Sequence, residues 1–179
     1  MHDRTANLLG AASLAVTDVL LGAATAAAAT GPTGTAALVV LSATPGLSTT
    51  ELGRRVGLTQ SAATRMVDSL VGRGLAERRP SMGKWVAVHP TPQGEAAARS
   101  VLTSRQDRVS GLLASLDDAE RETLSGLLEK VLVSAYGEGT VDSQWLCRLC
   151  DRDSCVDGGA AHCPIGAAER EVQARAAGA

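Results

Sequence analysis

The chain has 179 residues, enough for one ordinary domain with an appendage and too few for two full enzymatic domains. Apolar residues make up 45% and aromatics only 2%, with no Phe, so the core must be Leu, Val and Ala and points to helix-on-helix packing rather than a β-sandwich. The net charge of −2 hides an asymmetry: residues 51–84 carry seven bases against three acids, +4, leaving −6 for the rest. A basic segment in an acidic chain is the footprint of a phosphate-binding face, with a solvated helical face as the plainer alternative.

From about Thr5 to Ala29 the pattern predicts a long helix whose larger apolar residues are Leu8, Leu9, Leu14, Val16, Val19, Leu20 and Leu21. Asp18 interrupts this stretch, and the side chains before it carry no net positive charge, so no secretory leader is expected. A membrane span is not expected either, because a central Asp costs about 2.5–3.5 kcal/mol there and Ala, Gly, Thr and Ser contribute little. Residues 30–34 (TGPTG) break the helix. Pro32 suits the first turn of a second one, and the nearly all-apolar run 36–42 marks it as buried in the middle of a domain.

Pro45 and Gly46 end that helix, and Ser48, Thr49 or Thr50 can cap a short third one that turns Leu52 and Val56 inward and stops at Gly57. A fourth, from about Gln60 to Gly72, places Ala63, Met66, Val67, Leu70 and Val71 at three- and four-residue spacing, with Gly74 closing it. Leu75–Arg79 and Trp85–His89 read as a two-stranded hairpin around a turn containing Pro80, Ser81 and Gly83. Beyond Pro92 the chain returns to helix, from Gln93 to about Leu116. A cap at Asp117 or Asp118 then opens a last helix to Tyr136, with Leu124, Leu127, Leu128, Val131 and Leu132 on its apolar face. Gly137 and Gly139 mark a linker. After it come four cysteines and an Ala/Arg/Glu-rich end, and the chain shows no internal repeat.

Helix, turn, helix and basic hairpin form a device for reading DNA: the second helix enters the major groove while the hairpin follows the backbone or minor groove. The core-facing positions of that helix leave Gln60, Ser61, Thr64, Arg65 and Asp68 on the other face. Gln can hold adenine, Arg can hold guanine, and Ser or Thr can bind bases or phosphates. The candidate DNA-binding set is Gln60, Ser61, Thr64 and Arg65, with Ser48, Thr49 and Arg54 before them and Arg78, Arg79, Ser81 and Lys84 on the hairpin. An ordinary surface helix with a polar side is the plainer reading.

The run from Ser48 to Pro80 resembles the MarR family of winged-helix repressors. The resemblance is carried by Leu52, Leu58, Thr64-Arg65, Val67-Asp68, Leu70, Gly74-Leu75 and Arg78, followed by the turn from Thr91 to Gly94 that leads into a long helix. It covers roughly residues 8–136. It implies a mainly α winged helix-turn-helix with a small β-hairpin wing, and a homodimer paired through its N- and C-terminal helices on a pseudo-palindromic operator. With the glycine linker and the change of composition after it, the expected organisation is a dimerisation helix over 1–29, a DNA-binding domain over 30–92, dimerisation helices over 93–137, and a linker with a four-cysteine tail over 138–179. Two departures stand out. Ser81-Met82-Gly83-Lys84-Trp85 lacks the family's Asp-x-Arg pair in the wing, where Lys84 offers only a point charge, and Ala62 stands where many relatives have a proline.

All four cysteines fall in the tail, as Cys147, Cys150, Cys155 and Cys163. The first pair has the spacing that lets two thiolates reach one metal, and the later two complete a tetrahedral set. Zn(II) is the expected occupant. An iron–sulfur cluster is the alternative, since Pro164 follows the last cysteine as in some bacterial cluster motifs. Disulfides are the plainer reading and fit a reducing cytosol poorly. His162 beside Cys163 could replace one ligand, whereas His2 and His89 offer no metal spacing.

No P-loop, G-x-G-x-x-G, H-E-x-x-H or G-x-S-x-G motif is present, so no enzyme is expected. The expected function is a cytoplasmic DNA-binding transcriptional regulator, in the sense of a repressor. Its input is either a small lipophilic or phenolic effector, as the resemblance implies, or the state of the cysteine centre. The alternatives are a redox or iron sensor with an iron–sulfur cluster and a protein-interaction module that binds no DNA.

Overall fold

Side-chain caps set the starts of several helices. Ser48 accepts from the amide of Glu51 at 3.1 Å, Thr59 from Ala62 at 3.4 Å and Thr91 from Gly94 at 3.1 Å. Asp117 forms a reciprocal capping box with Glu120. The computed structural model describes residues 3–28, 30–81, 86–139, 142–156 and 163–177. In chain order its elements are α1 (Arg4–Ala28), α2 (Pro32–Ala43), β1 (Leu47–Ser48), α3 (Thr49–Arg55), α4 (Gln60–Gly72), β2 (Ala76–Pro80), β3 (Val86–Pro90), α5 (Pro92–Leu112), α6 (Asp118–Gly137), α7 (Ser143–Leu146), α8 (Arg152–Cys155) and α9 (Pro164–Ala177).

The fold is mainly helical with a small antiparallel sheet, a winged helix-turn-helix as expected. Three differences are physical rather than cosmetic. The sheet has three strands in the order β1-β3-β2, because Leu47 and Ser48 run antiparallel beside Val88 and Ala87. Gly46 anchors that approach by donating its amide to the Val88 carbonyl at 3.0 Å. The hairpin strands sit one residue later than expected, with Ala76 opposite Pro90 and Pro80 opposite Val86. Finally, α5 stops at Leu112, and the last residues before Asp117 form turns instead of a further helical turn.

The core sits where α2 is enclosed. Its residues 34–39 and Leu41 are buried, as its unbroken apolar run requires. Around Leu38 and Leu41 pack Leu52 from α3 and Val56 just after it, Val67 and Leu70 from α4, Val88 from β3 and Val101 from α5, all fully buried. On the expected reading-head helix, α4, the buried side is Ala63, Val67 and Leu70.

The outer helices behave differently. α1 lies along α5 and buries Ala24 and Ala28, yet Leu8, Leu9 and Leu14 are exposed, the last at 72%. The stretch Arg4–Gly22 is long and apolar enough to cross a membrane by length and composition, and none of it is buried in the protomer. α6 has no buried residue, and Leu127, Leu128, Val131, Leu132 and Val133 stand exposed along it. Among its described residues the tail contains three helices that the sequence pattern did not announce. The longest of them, α9, packs against α6 and α7.

Candidate nucleic-acid interface and cysteine tail

α3 and α4 cross at a point with no room for a side chain. A Cβ on Gly53 would come 2.5 Å from the Cβ of Ala63, so this glycine–alanine contact fixes how α4 is presented. With Ala63, Val67 and Leu70 turned inward, Gln60, Ser61, Thr64 and Arg65 are all exposed on one end of α4. Arg65 makes no ion pair with any described residue. The Thr64 hydroxyl donates to the Gln60 carbonyl at 3.0 Å, and the Thr59 and Ser61 hydroxyls lie 3.4 Å apart. A free guanidinium beside a short amide and two hydroxyls is a donor-rich surface suited to base edges and phosphates.

The remaining candidates are placed less freely. Ser48 spends its hydroxyl on capping α3, and Thr49 is half-buried. Arg54 is held by Glu51 at 2.9 Å and stands 3.7 Å from Asp142. Arg55, not among the expected contacts, also pairs with Glu51 at 3.0 Å. These two guanidiniums hold the Glu51 carboxyl at about 2 against a usual 4.5. The folded value is depressed, so this cluster's contribution is complete above about pH 4.5 and fades only as the pH falls toward 2. On the hairpin, Arg78 pairs with Asp68 at 2.7 Å and Arg79 with Glu77. Ser81 is exposed at the end of β2, and Lys84 lies outside the described residues.

The four cysteines are free thiols that line one cavity of about 420 Å³, together with residues of α2 and α9. Each sits at a helix end or a turn. Cys147 follows α7, and its carbonyl accepts from the Cys150 amide at 3.0 Å. Cys155 ends α8, and Cys163 precedes α9, its Sγ accepting from the Gly166 amide at 3.4 Å. Among the described residues no three ligating side chains already converge on one point. Burial and neighbouring thiols raise Cys147 and Cys150 above the ordinary thiol range and push Cys155 up to about 12.

Sequence reasoning missed where this tail goes. It docks on the helix-turn-helix: Trp145 lies over Gly57 in the α3–α4 turn, Asp142 faces Arg54, and Leu149 packs on the central core. Such long-range contacts leave no local periodicity in a sequence. The one available signal was a lone Trp two residues before the first cysteine.

Residues 32–83 match the MarR family model. A putative transcriptional regulatory protein for the hcr operon of Thauera aromatica is 31% identical over 96 residues, covering 52% of this chain and 58% of that protein. The chain therefore spans little more than half the length of that curated relative. Among solved structures, wild-type MarR from E. coli, in its apo form, superposes with a TM-score of 0.60 at 24% identity, over 74% of this chain and 99% of that one. The Mycobacterium tuberculosis MarR family protein RV2887, in complex with salicylic acid, superposes with a TM-score of 0.52 at 26% identity, over 69% of this chain and 95% of that one.

Proposed function

We infer, from a chain that carries a MarR-family winged helix, that this protein is a homodimeric, sequence-specific DNA-binding transcriptional regulator of the cytoplasm and not an enzyme. The observation that carries this reading is the exposed end of α4, where Gln60, Ser61, Thr64 and Arg65 stand together and Arg65 has no ionic partner among the described residues. Two such ends, supplied by two protomers, fit two half-sites of a pseudo-palindrome. The apolar faces of α1 and α6 support pairing: each exposes several large aliphatic residues that a second copy can cover. For α1 a partner helix is a better match than lipid, because Asp18 sits within its apolar stretch.

Repression is the expected output, with operator binding relieved by a small lipophilic or phenolic effector between the dimer helices and the winged domain. The support is the salicylic acid complex of the RV2887 relative. Arg65→Ala tests the reading head on a duplex selected by the wild-type protein from random sequence. Affinity should fall by about 1–3 kcal/mol and discrimination at one base position should relax. A loss that is even across sequences, with the salt slope reduced by about one, would place Arg65 on a phosphate instead. Unchanged affinity would remove Arg65 from the interface.

A further inference from the structure

The described residues of the tail form no core of their own. Over residues 142–177 the described structure buries only Ser143 and Ile165, and its helices α7 and α8 have four residues each. A module of that size is normally held by cross-links or metal ions rather than by apolar burial. Its four thiols line one cavity, and the Sγ of Cys163 already accepts an amide hydrogen bond from the first turn of α9.

The same segment touches the reading head. A Cβ built on Gly57 would lie 2.6 Å from Cζ3 of Trp145, so the indole rests directly on the backbone of the α3–α4 turn. Gly57 has φ +69°, a left-handed conformation that a glycine adopts without strain. Arg148 stacks on the indole, 3.6 Å from the ring centre, and Asp142 caps α7 while facing Arg54 of α3. Trp145 and Leu149, the residues that dock, lie two residues to either side of Cys147, and Leu149 directly precedes Cys150.

We propose that Cys147, Cys150, Cys155 and Cys163 bind one Zn(II), and that the loaded centre holds Trp145 on the α3–α4 turn so that zinc occupancy sets the affinity of α4 for DNA. The second half of this statement rests on the DNA-binding reading above. Bonds of about 2.3 Å in a tetrahedron put neighbouring sulfurs about 3.8 Å apart, a compact set that four thiols lining one cavity can form; an iron–sulfur cluster must fit between its ligands and spreads them wider. Zinc draws the thiols onto one ion, and each ligating thiol releases its proton to solvent. The turn is then clamped, and less ordering is left to be done when DNA binds.

The test uses the full-length protein and the duplex it selects from random sequence. The purified protein should be colourless with close to one zinc per chain. Chelation should speed amide exchange over residues 56–60 and weaken duplex binding about tenfold, within the usual range for coupled sites, and added zinc should reverse both. Trp145→Ala should keep the zinc and show the same weakening, whereas Cys150→Ser should lose the zinc. If Cys150→Ser does not fold, chelation and reloading of the wild type still decide the matter. Metal-free protein with four titratable thiols overturns the proposal, as does a brown protein whose visible absorption bleaches in air. Zinc that can be removed with exchange and affinity both unchanged overturns the clamp. If no duplex is selected at all, the DNA-binding reading fails, while zinc content and exchange at 56–60 still judge the centre.

Discussion

Without residues 1–20 the protein is expected to be a monomer, or to aggregate, and to lose its hold on a full operator. The removed segment contributes little to its own protomer: only Val16, Val19 and Leu20 of it are even half-buried. The part of α1 that does enter the core, Ala24 and Ala28, is retained. What disappears is the exposed face carrying Leu8, Leu9 and Leu14, each worth up to about 1.5–3 kcal/mol when fully buried on a partner. A monomer presents one α4, and losing the second half-site removes the gain of tethered binding, typically about 100- to 10,000-fold. Sedimentation and a titration on the selected duplex check both halves. A well-folded monomer that still binds the full operator tightly contradicts the dimer.

Gly94→Ala should be the most damaging single methyl in the winged domain. A Cβ at this position would stand 1.9 Å from the carbonyl oxygen of Leu75 and 2.9 Å from its carbonyl carbon, both backbone atoms that no rotamer change can move. The contact lies in a tight joint between the start of β2 and the start of α5. There Thr91 caps Gly94, donates its hydroxyl to the Gly74 carbonyl at 2.6 Å, and gives its amide to Leu75 at 3.2 Å. Overpacking against backbone costs about 3 kcal/mol or more, so Tm should drop by roughly 6–12 °C for a chain of this size. Gly111→Ala is the control: nothing lies within 4 Å of its Cβ, and as a helical position it should be neutral or stabilised by up to about 1 kcal/mol. Equal Tm values for the two variants would rule out the joint as a constraint.

The winged helix was legible because its signals are local. Caps and glycines bracket α3 and α4, and the three- and four-residue spacing of Ala63, Val67 and Leu70 decides which face of α4 turns inward. β1 escaped notice because two residues carry no alternation, and α7 and α8 because four residues carry no helical period. α9 is long enough to show one, but its Ala, Arg and Glu content leaves only a weak apolar face. The cysteine spacing was readable; the surface on which the cysteines dock was not. The tail follows α6 in sequence, yet its contacts reach α3 and the α3–α4 turn directly. The pairing of Arg54 with Glu51 could have been read from their three-residue spacing, while that of Arg78 with Asp68 depends on the hairpin folding back beside α4.

Two copies of α4 are expected to read DNA together. Selection of bound duplexes from random sequence, followed by sedimentation of the complex and titration over a range of salt, tests it most directly. The expected result is an enriched pseudo-palindrome with half-sites centred about 10 base pairs apart, two chains on each duplex, and log affinity falling steeply and linearly with log salt. No enriched sequence, or weak binding that ignores salt, would contradict it.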